Sequence, residues 1–155
     1  MKKTNAARLL DAAGIAYRMV PYEVDPDDLT AATVAAKIGL PVEQVYKTLL
    51  VRGERHGPCF AVVAGDRRLD LKALAAVRGE RKVEPVRVRE LQGLTGYVRG
   101  GVTVLGARKA FPVVVDELME LHDLVSVSAG QRGLQLWLAP ADYLRVTAAE
   151  VAEIG

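Results

Sequence analysis

The sequence predicts a mixed α/β fold of α+β character, a mostly antiparallel sheet with helices packed against it, in one compact domain over residues 1–155. Three observations carry this. Short runs of strand character recur along the whole chain, and helices are announced by a capping residue at the start and often a glycine at the end. The two kinds of element also interleave without a regular βαβ period. A chain of 155 residues is long enough to bury about two-thirds of its unfolded surface.

Thr4 is a suitable cap for a first helix, whose apolar face is Ala6, Leu9, Leu10 and Ala13 before Gly14 stops it. Ile15 to Tyr22 reads as a strand ending near Pro21. Thr30 caps a second helix carrying Val34, Ala35 and Ile38, with Gly39 as its stop and Pro41 beyond. Val45 to Arg52 and Pro58 to Ala64 are two strands, joined by a glycine-bounded segment of hairpin length, Gly53 to Gly57. Asp70 caps a third helix through Leu71, Leu74, Ala75 and Val77, closed by Gly79. A strand near Lys82 to Glu84 and a helical turn from Arg87 to Leu91 follow, then a glycine-rich segment from Gly93 to Gly106. Pro112 to Val115, Leu124 to Ser128 and Leu134 to Leu138 are the last strands, with helical signals at Glu117 to Leu121 and after Pro140.

Half of the residues are apolar and 26% are charged, an ordinary globular balance. No apolar run approaches the roughly 20 residues of a membrane helix. Arg8 and Asp11 interrupt any signal-peptide core near the start, so a cytoplasmic location is expected. The single cysteine, Cys59, forms no internal disulfide and belongs to no metal-ligand spacing. Neither a metal nor a cofactor is expected. The net charge of +2 is mild, but its distribution is uneven. Between Arg78 and Lys109 stand eight basic residues (Arg78, Arg81, Lys82, Arg87, Arg89, Arg99, Arg108, Lys109) against three acids (Glu80, Glu84, Glu90). A local basic surface of this kind suits a phosphate backbone, and a solvated face without a partner fits the charge equally well.

Lys47 stands out. In a strand, alternate side chains share a face, which puts Lys47 with Val45, Leu49 and Val51. A lysine there either bends its ammonium out to water, pairs with an acid, or is held for a purpose, because an unpaired buried charge costs several kcal/mol or more. Thr95-Gly96-Tyr97-Val98-Arg99-Gly100-Gly101-Val102, followed by Leu105-Gly106, lets a ligand approach the backbone closely. It matches neither a P-loop nor a dinucleotide fingerprint, and as a bare pattern it is a structural turn. Ser126 to Gly133 is a strand running into a glycine-bounded turn that either offers backbone amides to a ligand or simply joins two strands. Cys59 reads as a buried thiol, and His56 and His122 show no zinc or triad pattern.

These segments follow the order of a known pattern. Val45-Tyr46-Lys47-Thr48-Leu49-Leu50 resembles the VxKTLL strand of the YbaK/EbsC family, aminoacyl-tRNA deacylases related to the editing domain of bacterial prolyl-tRNA synthetase. Leu69-Asp70-Leu71-Lys72 is similar to its LDLKK segment, Thr95-Gly96-Tyr97 with Gly100-Gly101 and Leu105-Gly106 to its TGY..GG...LG segment, and Ser128-Ala129-Gly130-Gln131-Arg132-Gly133 to its SGG.RG turn. The resemblance runs from Arg8 to about Leu144. It implies a mixed α/β domain with a cleft for the aminoacylated 3′ end of transfer RNA. It also implies catalytic roles for Lys47 and, from the YEHD-like strand end, Tyr22. Substrate contacts are expected at Thr48, Gly96, Gly100, Gly101, Ser128 and Gly130, and the basic stretch from Arg78 to Lys109 makes Arg81, Lys82 and Arg99 the expected RNA contacts. Three positions depart from the pattern: Ala129 replaces a glycine, Val24 a histidine, and Gln135 stands where relatives carry an acid.

The sequence offers no obvious nucleophile, which suits a reaction in which the substrate supplies its own. In YbaK-like enzymes acting on Cys-tRNA(Pro), the substrate thiol attacks its own ester carbonyl and leaves as a cyclic thiolactone. Such an enzyme has only to fold the aminoacyl group and stabilise developing negative charge. The resemblance therefore implies Cys-tRNA(Pro) as first substrate, with Ala-tRNA(Pro) hydrolysed by water as second. A noncatalytic module holding an aminoacyl-tRNA end or a small nucleotide is the alternative of a different class. The partners implied are tRNA(Pro) and, through editing in trans, prolyl-tRNA synthetase.

Overall fold

Capping residues set the helix boundaries. In the computed structural model, which describes residues 2–155, α1 (Asn5–Ala12) starts at Thr4, whose hydroxyl accepts the Ala7 N–H at 3.2 Å. α2 (Ala31–Ile38) starts at Thr30 and ends at Gly39 (φ +77°), and α3 (Leu71–Arg78) runs from Asp70 to Gly79 (φ +65°). Both stops take the left-handed conformation that a side chain disfavours. α4 (Val88–Thr95) has no side-chain cap, and α5 (Pro140–Val146) carries its proline in the first turn, where a missing N–H costs nothing.

The strands are β1 (Tyr17–Pro21), β2 (Tyr46–Gly53), β3 (Gly57–Ala64), β4 (Val83–Pro85), β5 (Val113–Asp116), β6 (Val125–Ser128), β7 (Leu134–Leu138) and β8 (Glu150–Ala152). They form two sheets where the sequence suggested one. The smaller, β1-β7-β6, is antiparallel throughout. The larger, β4-β2-β3-β5-β8, is antiparallel at the β2–β3 and β2–β4 pairs and parallel at β3–β5 and β5–β8. A single bridge between Val45 and Ser126 links the start of β2 to β6. β8 has no counterpart in the sequence reading. The expected turn at Arg87 to Leu91 is a full helix to Thr95, because Leu91 and Leu94 pack against the core and Thr95 is buried. Glu117–Leu121 is a 3₁₀ helix.

The main core lies on one face of the larger sheet, where Tyr46, Leu50, Phe60 and Val62 meet Leu10 of α1, Leu136 of β7 and Tyr143 of α5. A second cluster covers the opposite face with Leu74 and Ala75 of α3, packed on Val51, Ala61 and Val63. β3 is thus buried on both faces, which is why Cys59 to Ala64 reads as an unbroken apolar run. Cys59 belongs to that second cluster, and burial pushes its thiol pKa up, away from the reactive thiolate. A third cluster joins Val34, Ala35 and Ile38 of α2 to Val45, with Tyr22 and Trp137 at its margin. No helix is long and apolar enough to cross a membrane among the described residues.

Candidate active site

β2 runs beneath two covers that do not meet. Val45, at its head, is packed under α2, and Val51, near its end, under α3. Lys47 and Leu49 share that face and lie between the covers. Leu49 is consequently 36% exposed, so the face is apolar but open rather than buried. The gap is a cleft of about 780 Å³, well within the range of small-ligand sites.

Lys47 lies on the cleft floor and makes no hydrogen bond or ion pair among the described residues. Partial burial pulls its pKa below the ordinary lysine range. The Asp66 carboxylate opposes that shift and the Arg68 guanidinium reinforces it. Arg68 and Arg99 also line the cleft, and the lining includes no aspartate, glutamate, histidine or cysteine. A cavity with three cations and no carboxylate favours an anionic ligand, or charge that turns negative during reaction. Leu49, Leu71 and Val88, each more than a third exposed, give the same cavity apolar walls.

Tyr22, Thr48, Gly100 and Ser128 line the cleft as well, each differently. The Tyr22 N–H donates to the Gly133 carbonyl at 2.9 Å, which ties this wall to the Ser128–Gly133 turn. The Thr48 hydroxyl is buried on the core side of β2, beside the Tyr143 hydroxyl, and neither has a well-formed hydrogen bond. What Thr48 gives the cleft is therefore backbone and methyl rather than a free hydroxyl. Ser128 accepts the Gly130 N–H at 3.2 Å. Beside it Gln135, 6% exposed, accepts the Ser126 hydroxyl on Oε1 at 2.8 Å. With the Ser126 hydroxyl as donor, the Gln135 amide turns its oxygen toward Ser126.

Gly96, Gly101 and Gly130 do not line the cleft. Gly96 ends α4 at φ +83°. A Cβ at Gly101 would come within 3.0 Å of the Gln131 backbone, and one at Gly130 (φ +97°) within 2.8 Å of the Tyr97 ring. These glycines let the two loops press on each other. Arg132 Nε reinforces the contact by donating to the Arg99 carbonyl at 2.8 Å. Arg99 is thereby placed at the cleft. Arg81 and Lys82 lie outside it, and Lys82 pairs with Glu84 at 3.1 Å on the β4 edge. Arg68 does not stand out as a site residue in the sequence, where Asp66-Arg67-Arg68-Leu69-Asp70 reads as a charged turn and helix cap rather than an active site.

Known proteins resemble this chain along most of its length. Residues 25–146 match the aminoacyl-tRNA editing domain family. EbsC of Enterococcus faecalis, provisionally named a Cys-tRNA(Pro)/Cys-tRNA(Cys) deacylase, is 38% identical over 99% of this chain and 93% of its own. ProXp-y of Escherichia coli, a multifunctional Ser/Thr-tRNA deacylase, is 27% identical over 92% of this chain and 86% of its own. A crystal structure provisionally described as a trans-editing enzyme for prolyl tRNA synthetase superposes with a TM-score of 0.83 at 26% identity, covering 99% of this chain and 98% of that one.

Proposed function

The chain belongs to the aminoacyl-tRNA editing domain family, and from that premise we propose that it is a trans-editing deacylase whose first substrate is Cys-tRNA(Pro), with Lys47 as its catalytic centre. The observation that carries this is the composition of the cleft. An unpaired ammonium lies on its floor, two guanidiniums stand on its walls, and no nucleophile with an adjacent base faces it.

In this reading the 3′-terminal adenosine lies against the apolar walls and its phosphate meets Arg68 or Arg99. The ester carbonyl oxygen points at Lys47. The cysteinyl thiol sulfur attacks the carbonyl carbon, and the charge that develops on the oxygen is met by the ammonium. The bond from that carbon to the ribose 3′ oxygen then breaks. The thiol proton ends on the ribose oxygen, and the amino acid departs as a thiolactone. Lys47 acts as an electrostatic partner and need not exchange a proton. Tyr22 limits the space in which the aminoacyl group can fold.

The test is deacylation of Cys-, Ala- and Ser-tRNA(Pro) by the purified protein and by Lys47→Ala. The variant is expected to fold normally and lose about a hundredfold or more in turnover on Cys-tRNA(Pro). Wild type is expected to leave the seryl ester, which lacks the thiol, almost untouched. Equal rates on seryl and cysteinyl esters would replace the substrate's thiol with water as the attacking group. Near-normal turnover by a folded Lys47→Ala protein would remove Lys47 from the centre.

A further inference from the structure

The cleft continues past the end of its floor. The last two residues of β2, Arg52 and Gly53, line a second hollow of about 540 Å³. Pro85, opposite Val51 in the β2–β4 pairing, borders both. Within this hollow two acids are already neutralised, Glu90 by Arg52 at 3.1 Å and Glu84 by Lys82 at 3.1 Å. Arg87 and Arg89 are exposed and make no ion pair among the described residues. They flank Val88, which is 60% exposed and forms part of the lip of the first cleft. Glu54, at the hairpin end, is the acid left over.

We infer that this second hollow is the docking surface for the duplex part of the same RNA, with the acceptor stem passing over Pro85 and setting its phosphates against Arg87 and Arg89. The inference rests on reading the first cleft as the aminoacyl-end site. A transfer RNA reaches such a site through a short single-stranded tail, so its duplex has to rest beside the mouth, and this hollow adjoins the mouth through a shared residue. Guanidinium is also the side chain best matched to phosphate oxygens, through two parallel N–H donors. Leaving two arginines unpaired while Arg52 and Lys82 are spent on local acids keeps those donors free for a partner.

Binding of uncharged tRNA(Pro), and of a single-stranded oligonucleotide ending in CCA, measured across a salt series tests this. Arg87→Ala/Arg89→Ala is expected to weaken transfer-RNA binding by about tenfold or more and to make the salt slope shallower by roughly 1.8. It should leave oligonucleotide binding unchanged. Arg8→Ala/Arg145→Ala removes the same charge from residues bonded only locally, to Asn5 and Asp142, and should change neither. Unchanged affinity and slope in the first variant, equal weakening of the oligonucleotide, or an equal effect of the control would each overturn the docking surface. Circular dichroism of both variants excludes misfolding as the cause of a loss. Wild-type deacylation is measured in parallel, which keeps the two readings apart. A protein that deacylates while the first variant binds normally rejects the docking surface alone. One that binds through Arg87 and Arg89 without deacylating rejects the catalytic reading alone. A wild type that binds no transfer RNA rejects the docking surface outright.

Discussion

Lys47 owes its character to three influences of different sign. Partial burial disfavours the ammonium, Arg68 disfavours it further, and Asp66 supports it. For a lysine whose folded pKa is lowered, the charge is present below that pKa and is lost as pH rises through it. The electrostatic help that Lys47 gives should therefore fade at a less alkaline pH than for a free lysine. Asp66→Asn removes the supporting charge and should move the Lys47 midpoint lower, whereas Arg68→Ala should move it higher. Titration of the Lys47 side chain by NMR reads both shifts directly, and identical midpoints in all three proteins would refute this electrostatic account. Of these three residues only Lys47 was legible in the sequence, because a lysine inside an alternating strand breaks a pattern. Arg68 breaks none. Its place at the cleft depends on where the β3–α3 turn folds, which residue order does not reveal. The alternation that singles out Lys47 also turns the Thr48 side chain to the opposite face, with Tyr46 and Leu50; what it does not reveal is that this face lies under the main core.

At the scale of elements, α2 matters most to the site, because Ala31, Ala32 and Val34 make one wall of the cleft. Its start is held by a small polar network. The Thr30 hydroxyl accepts the Thr33 N–H, while Asp28 accepts the Thr30 N–H, the Thr30 hydroxyl and, at 2.6 Å, the Thr33 hydroxyl. Those hydrogen bonds, from Thr33 first, hold the Asp28 carboxyl below the usual carboxylate range, so the network persists into mild acid. Thr30→Ala should cost about 1 kcal/mol in urea unfolding and raise the Michaelis constant more than it lowers turnover, since a frayed wall loosens binding before chemistry. An unchanged unfolding midpoint would mean that the cap contributes nothing. Elements such as α2 were legible because caps and glycine stops are local chemistry. The division into two sheets was not, because pairing of β1 with β7 across more than a hundred residues leaves no local trace. β8 is a three-residue edge strand supported by its neighbour β5, and Glu150-Val151-Ala152 has no strand signature of its own.

Across the whole molecule, the buried Asp116 at the end of β5 connects distant parts of the chain. Oδ1 accepts the N–H groups of Ile154 at 2.9 Å and Gly155 at 2.8 Å, and Oδ2 accepts that of Leu118 at 3.2 Å. Ile154, fully buried under the second core, in turn accepts the Asp70 N–H at 2.7 Å, where α3 begins. Asp116→Ala leaves three donors without an acceptor and should cost about 3 kcal/mol, read from denaturant unfolding, whereas Asp116→Asn should cost less. Equal stability of all three proteins would exclude this latch as a source of cohesion. The same kind of long-range dependence governs the contact between the glycine loops. With Gly101 pressed on the Gln131 backbone and Gly130 on the Tyr97 ring, neither loop can gain a methyl group without displacing the other. The two segments are consequently coupled: a methyl group added to either has to be accommodated by the other, so room for a changed substrate preference lies with more exposed cleft side chains such as Leu49.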